Sequence, residues 1–262
     1  MENQFSRTQM LIGQDAVERL KGCKVAVFGV GGVGGYAVEV LARSGVGYID
    51  VFDADTVNIT NLNRQVIALH STLEQAKVDV IEKRINDINP ACVVGKYKMF
   101  YLPENADKVD LKQYDYVVDC IDTITAKIEL TRRCKQLDVP FISSMGAANK
   151  MDATAFRVAD LSKTTMDPLA KVIRKKLRAL GITGVKVVFS EEKPLKPMGM
   201  TDLQQTNCPT NDTDETTNEA AHKPKGKNCV PASNAFVPAA AGIVVGGEVV
   251  KDLIGWEIYS LD

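Results

Sequence analysis

Lys24 to Gly29 reads KVAVFG, an unbroken run of β-branched and apolar residues ended by glycine. A run without polar alternation is what a strand buried on both faces looks like, and such strands belong to parallel sheets covered by helices on each side. Directly behind it, Gly29-Val30-Gly31-Gly32-Val33-Gly34 forms a G-x-G-x-x-G turn. Gly32 to Ser44 then carries helical periodicity, with Val33, Ala37, Val40 and Leu41 on one side and Gly45 as the stop. Tyr48 to Asp53 (YIDVFD) is the next strand. Strand, helix and strand in this order cross over right-handedly. The chain is therefore expected to build an α/β, doubly wound, Rossmann-like and mostly parallel sheet with helices on both faces.

The alternation continues. Leu73 to Asn89 reads as a helix stopped by Pro90, Cys92 to Met99 and Tyr114 to Cys120 as strands, Thr123 to Leu137 as a helix and Phe141 to Met145 as a strand. After Gly146 the pattern changes. Thr154 to Val158 and Val185 to Ser190 read as strands around a cationic helix, Pro168 to Leu180, and Phe236 to Ile254 reads as a helix returning to the core. Residues 1–150 thus form a nucleotide-binding core. Residues 151–262 form an extension packed on the same sheet, adding antiparallel strands and a long polar loop at about 191–228. Phe236 to Trp256 contains Glu248, Lys251 and Asp252, so a packed helix is expected there rather than a membrane span, with an interfacial helix as the alternative.

At a net charge of −1 the chain as a whole is no polyanion binder, and a nucleic-acid partner needs a local basic patch. None of the six cysteines forms a C-x-x-C pair, which argues against a structural zinc. Cys23, Cys92 and Cys120 lie in apolar contexts and read as reduced core residues. The first residues carry no export signal, so the reducing cytoplasm is the expected compartment.

The turn Gly29, Gly31, Gly32 and Gly34 brings backbone N–H groups and a helix N-terminus to phosphate, and Asp53 at the end of the second strand is placed for ribose hydroxyls. That much fits NAD and ATP equally. The following segment separates them. Asp55, Asn61, Asn63, Arg64 and Gln65 crowd just past the ribose-binding acid, and Lys77 adds a second cation. A nicotinamide dehydrogenase has no use for these groups here. An enzyme that cleaves between the α and β phosphates does, because charge develops on pyrophosphate. Asp122 can hold a metal ion that bridges phosphates. The structural alternatives are a turn cap for Asp53, surface charges for Arg64 and Lys77, and a helix N-cap for Asp122. Their joint order and spacing favour the nucleotide site.

Gly29 to Gly34, Asp53, Thr60-Asn61-Leu62-Asn63-Arg64-Gln65, Lys77 and Cys120-Ile121-Asp122 together resemble the ubiquitin-activating-type adenylating superfamily over about the first 150 residues. The resemblance implies ATP with Mg²⁺, Asp53 on the ribose, Arg64 and Lys77 on the phosphates and Asp122 near the metal. It also implies a homodimer in which Arg7 reaches the γ-phosphate of the other subunit, and it leaves a monovalent cation open. Two substrates fit: the C-terminal glycine of a sulfur-carrier or ubiquitin-like protein, or a small carboxylate on tRNA.

Carrier activators of this size usually have two C-x-x-C pairs, absent here. Val158 to Thr164, Asp167-Pro168-Leu169-Ala170, the following cationic helix, and Asn228-Cys229-Val230-Pro231-Ala232-Ser233 ahead of Phe236-Val237-Pro238 instead resemble the branch that dehydrates threonylcarbamoyladenosine in tRNA. That resemblance covers nearly the whole chain. It implies adenylation of the threonyl carboxylate, then ring closure with loss of AMP, and it leaves an upstream sulfur-relay partner open. Lys171, Arg174, Lys175 and Arg178 share a helical face and are the candidate tRNA contacts, helped by Lys223, Lys225 and Lys227. The alternative is a solvated helix face. Cys229 is a candidate acyl acceptor, with a structural role as its alternative. A metal role for it with Cys208 and His222 matches no standard spacing.

Overall fold

The computed structural model describes residues 2–197 and 231–256. Cys208, His222, Lys223, Lys225, Lys227 and Cys229 lie outside the described residues. One sheet of seven strands organises the chain, in the order β3-β2-β1-β4-β5-β7-β6. The strands are β1 (Lys24–Phe28), β2 (Tyr48–Phe52), β3 (Val93–Tyr97), β4 (Tyr116–Asp119), β5 (Phe141–Ser144), β6 (Phe156–Asp160) and β7 (Lys186–Ser190). All neighbours are parallel except β6 and β7. The extension therefore contributes one parallel strand, β7 against β5, and one antiparallel edge strand, β6.

The helices are α1 (Ser6–Ile12), α2 (Gln14–Gly22), α3 (Gly34–Ser44), α4 (Lys77–Ile88), α5 (Ile124–Leu137), α6 (Pro168–Ala179) and α7 (Val237–Ile254). Two apolar layers flank the sheet. One gathers α3, α4 and α7, with Ala37, Leu41, Ile81, Val245 and Val249 fully or almost fully buried; the other gathers α5 and α6, with Leu130, Ile173 and Leu177. Two boundaries differ from the periodicity for local reasons. Residues 73–76 pair back on Val57 through Val57 N–H to the Gln75 carbonyl (2.9 Å) and Glu74 N–H to the Val57 carbonyl (2.9 Å), so α4 starts at Lys77 rather than Leu73. Asp152 accepts the Thr154 N–H at 2.8 Å and makes a 3-10 turn over Ala153–Ala155, so β6 starts at Phe156.

Helix α7 is a packed core helix, and no described helix is long and apolar enough to cross a membrane. Its seat on α3 depends on two glycines. A Cβ on Gly242 would overlap the Val33 carbonyl, and one on Gly246 would meet Val40 Cβ at 2.6 Å. The backbones thus approach closely enough that neither helix has room to yield. At the far end, Asp252 accepts Tyr116 Oη (2.6 Å) and Lys186 Nζ (2.7 Å), which ties α7 to the starts of β4 and β7. Gly246→Ala is expected to lower stability by about 1–3 kcal/mol through overpacking. A denaturant titration checks this, and an unchanged midpoint would contradict the close approach.

Candidate active site

The parallel register sets the site. Phe28 pairs with Phe52 and with Asp119, and Asp119 pairs with Ser143, so β1, β2, β4 and β5 end in one row. The next residues are held in that row by the ladder: Gly29 N–H donates to the Phe52 carbonyl (2.8 Å) and Cys120 N–H to the Phe28 carbonyl (2.8 Å). The strand order reverses between β1 and β4, and the crevice at such a switch point is where doubly wound sheets bind ligand.

The glycine turn fills that crevice tightly. Gly29 has a φ of 84°, and a Cβ on it would stand 2.7 Å from the Cys120 carbonyl oxygen. A Cβ on Gly34 would overlap the Gly29 carbonyl. Only glycine lets the turn fold back so closely and leave its N–H groups at the start of α3, whose N-cap residue Val33 supplies no side-chain cap. Gly31 lies beside the Gln65 amide, and Gly32 lies between the Arg64 side chain and Pro238 of α7. Asp53 is already part of the turn. Its Oδ2 accepts the Val30 N–H (2.9 Å) and its Oδ1 the Asp55 N–H (2.9 Å), leaving one lone pair on each oxygen for ribose hydroxyls.

Lys77, the first residue of α4, is buried, with Nζ 2.8 Å from Asp55 Oδ2 and 4.0 Å from Asp53 Oδ1. Its charge is therefore held beside Asp53 and Asp55. The 3-10 turn Ile59–Asn61 places the polar cluster. Asn61 Oδ1 accepts the Asn58 N–H at 3.1 Å, and Asn63 Nδ2 donates to the Ser233 carbonyl at 3.1 Å, tying this loop to the segment ahead of α7. Arg64 Nη1 donates to the Thr60 carbonyl (2.9 Å) and Asn63 Oδ1 (3.1 Å), and its other nitrogens make no hydrogen bond among the described residues. Gln65 is buried, and its Oε1 has no partner among the described residues. The glycine turn with Gln65 Nε2 beside it and a cation with open donors fit a nucleotide with its phosphates.

Asp122 follows β4, is exposed, and makes no hydrogen bond or ion pair among the described residues. The N-cap of α5 is Thr123, so Asp122 is not spent as a cap. One free carboxylate beside a phosphate site suits Mg²⁺, which keeps waters and takes the rest of its ligands from phosphate. Beneath it lies a network that no motif announced. Lys127 Nζ meets Asp119 Oδ2 at 2.9 Å and Ser143 Oγ at 3.1 Å, Ser143 Oγ donates to Asp119 Oδ2 at 2.6 Å, and Asp119 Oδ1 accepts the Ile121 N–H at 3.0 Å. Lys127 and Asp119 are 1% and 0% exposed, a paired charge locking the backbone that presents Asp122. A lysine on a helix reads as solvated, so only the packing of α5 shows its direction.

Arg7 is exposed on α1, beside the exposed Met10 and Leu11, and its side chain makes no hydrogen bond or ion pair among the described residues. On α6, Lys171, Lys175 and Arg178 are exposed, whereas Arg174 turns inward and donates to the Thr164 carbonyl (2.8 Å) and Oγ1 (2.6 Å). Cys23, Cys92, Cys120 and Cys134 are free thiols. Burial pushes Cys92 up to about 11 and Cys120 up to about 12, so neither supplies a thiolate near neutrality.

Fold and crevice define a doubly wound nucleotide-binding protein whose turn is joined by cations and amides suited to phosphate cleavage. The ThiF family model matches residues 5–261, and the chain belongs to that family. It is 50% identical to the tRNA threonylcarbamoyladenosine dehydratase of Bacillus subtilis, over 97% of this chain and 96% of that protein. It is also similar to the crystal structure of the E. coli tRNA N6-threonylcarbamoyladenosine dehydratase in complex with AMP, with a TM-score of 0.81 at 31% identity, covering 96% of this chain and 94% of the other. The complex of that enzyme with ATP gives a TM-score of 0.79 over the same shares.

Lys127→Met would leave Asp119 buried without its cation and is expected to cost about 3–5 kcal/mol of stability. Thermal and denaturant unfolding check this. A variant as stable as the parent would show that the network does not hold the loop.

Proposed function

We propose that the chain is an ATP-dependent tRNA-modifying enzyme that dehydrates N6-threonylcarbamoyladenosine to its cyclic form through an acyl-adenylate. The observation that carries the reading is the row of strand ends that brings together the glycine turn, Asp53 and the loop of the uncommitted Asp122, with the Arg64 side chain beside Gly32. Similarity to dehydratases along nearly the full chain supports the substrate. The functional division follows: residues 1–150 bind ATP, and residues 151–262 bind the substrate on the same sheet.

In this reading a threonyl carboxylate oxygen attacks the α-phosphate and pyrophosphate leaves. The carbamoyl oxygen then closes onto the acyl carbon, the C–O bond to AMP breaks, and a ureido N–H proton is lost. One carboxylate oxygen leaves in AMP, which is the dehydration. Adenylation supplies the leaving group a carboxylate lacks, so the protein's work is positioning and charge stabilisation. The turn N–H groups and α3 hold phosphate, and Asp53 orients the ribose. Gly31, Gly32, Asn61, Gln65 and Lys77 shape and polarise the crevice, with Asp55 and Asn63 fixing Lys77 and Arg64. Arg64 stabilises the developing pyrophosphate. Asp122 would hold Mg²⁺, which when bound neutralises phosphate charge. Arg7 acts from the second subunit of a homodimer. Lys171, Lys175 and Arg178, with Arg174 behind them, track the tRNA backbone. The enzyme works in the cytoplasm.

AMP formation from ATP should require tRNA bearing threonylcarbamoyladenosine, and unmodified tRNA or a small protein ending in Gly-Gly should not replace it. Release triggered by the carrier protein instead would move the assignment to carrier activation. Arg64→Ala is expected to lower that rate about 10²–10³-fold, with pyrophosphate release as the readout. Cys229→Ala separates two routes: unchanged product means direct closure, and lost product with retained adenylation means a thioester. Replacing Lys171, Lys175 and Arg178 together by alanine should raise KM for tRNA and flatten its salt dependence by roughly two to three phosphate contacts, leaving ATP affinity unchanged. A KM that stays put would remove α6 from the interface.

A further inference from the structure

Lys150 lies on the chain leaving β5, six residues after Ser144. It is 3% exposed, and its Nζ has no hydrogen-bond partner among the described residues. Its nearest counter-charge is Asp167 Oδ2, at 3.7 Å, beyond hydrogen-bond reach. Asp167 is already committed: Oδ1 accepts the Ala170 N–H (3.0 Å) as the N-cap of α6, and Oδ2 accepts the Gly146 N–H (3.1 Å). Asp167 therefore balances the charge of Lys150 without satisfying its three donors. A buried ammonium with open donors is costly unless an acceptor meets it in the working state of the molecule. Burial pushes this ammonium below the ordinary lysine range, against the opposing pull of Asp167 and Glu192.

The surroundings place the loop that carries Lys150 beside the crevice. Ser143 pairs with Asp119, so the segment leaving β5 emerges beside the one that carries Asp122. Asn149, in the left-handed region at φ 59°, exchanges hydrogen bonds with Ala232, its N–H to the Ala232 carbonyl and the Ala232 N–H to its Oδ1, each 2.8 Å. Asn234 Nδ2 donates to the Lys150 carbonyl at 2.8 Å. The same short segment, through Ser233, is bonded to Asn63 next to Arg64. The loop carrying Lys150 and the loop carrying the phosphate cation are thus clamped to one strap of chain, Ala232 to Asn234.

We propose that Lys150 is the acyl-side cation of this site, donating to an oxygen of the substrate carboxylate before adenylation and to the acyl carbonyl oxygen after it, with Asp167 as its counter-charge. This rests on the adenylating reading above. It assigns the carboxylate a fixed cation separate from those that hold phosphate, so the loss of Lys150 should act on the acyl half of the reaction and spare nucleotide binding.

The test uses Lys150→Met and Lys150→Arg in the full chain, with two readouts. With modified tRNA, kcat/KM for AMP formation should fall about ten- to hundredfold in Lys150→Met, and Lys150→Arg should recover most of it. Calorimetric affinity for AMP should stay within about twofold in both. Without tRNA, a stable threonyl-sulfamoyl adenosine should bind the parent more tightly than AMP does, and Lys150→Met should lose that gain. If Lys150→Met fails to fold, Lys150→Gln is measured in its place. Parent-like kcat/KM and parent-like analogue binding in the neutral variant would overturn the proposal, as would a parallel loss of AMP affinity or a failure of arginine to rescue. A parent that ignores modified tRNA yet binds the analogue through Lys150 would overturn the tRNA assignment and leave the acyl-side cation standing.

Discussion

The row of hydrogen bonds that ends β1, β2 and β4 together is the constraint on which the site depends. Gly29 N–H to the Phe52 carbonyl and Cys120 N–H to the Phe28 carbonyl place the glycine turn, Asp53 and the Asp122 loop at one level of the sheet. A side chain's period along a strand is two residues, so a slip of one would send Asp119 or the approach to Asp53 to the opposite face. Asp53 then converts alignment into rigidity, because its carboxylate bonds Val30 across the turn. The glycine turn is thus held by backbone and one carboxylate.

Around that cradle the molecule places its charges in pairs that each have a different freedom. Lys127 and Asp119 are sealed and bonded to each other and to Ser143, which suits a pair that fixes backbone. Lys77 is sealed but shares Asp55, which is half-exposed. Among the described residues, Arg64 keeps open donors at the crevice, and Lys150 is sealed with no hydrogen-bond partner. Bonded charges hold the frame, and open ones mark where substrate oxygens are expected. The strap Ala232–Asn234 then couples the last two, since it is bonded to both loops.

The core of the reading was legible because its signals are local. An apolar run, a glycine turn and a capped periodic helix each announce themselves within a dozen residues, and β1, α3, β2, α5 and α6 fall within a few residues of expectation. The misses have physical causes. The start of α4 moved because Val57, about twenty residues upstream, captured the backbone of residues 74 and 75. Arg174 sits on the predicted cationic face, yet a carbonyl and a hydroxyl of the preceding loop compete for it. Lys127 and Lys150 were invisible as site residues because a lysine in sequence carries no mark of burial.

The sequence by itself determined the class of fold and the place of the glycine turn, and it set the order of acid, amides, cations and second acid on which the proposed ATP site rests. Those follow from residue type and short spacing, where a single turn or strand sets the geometry. Only the tertiary structure decided which charges are spent and which are free. It also decided that Gly242 and Gly246 let α7 close on α3, and that Ser233 and Asn149 bring distant loops to one crevice. The last two outcomes depend on contacts between segments about 80 to 210 residues apart, whose register no local pattern records.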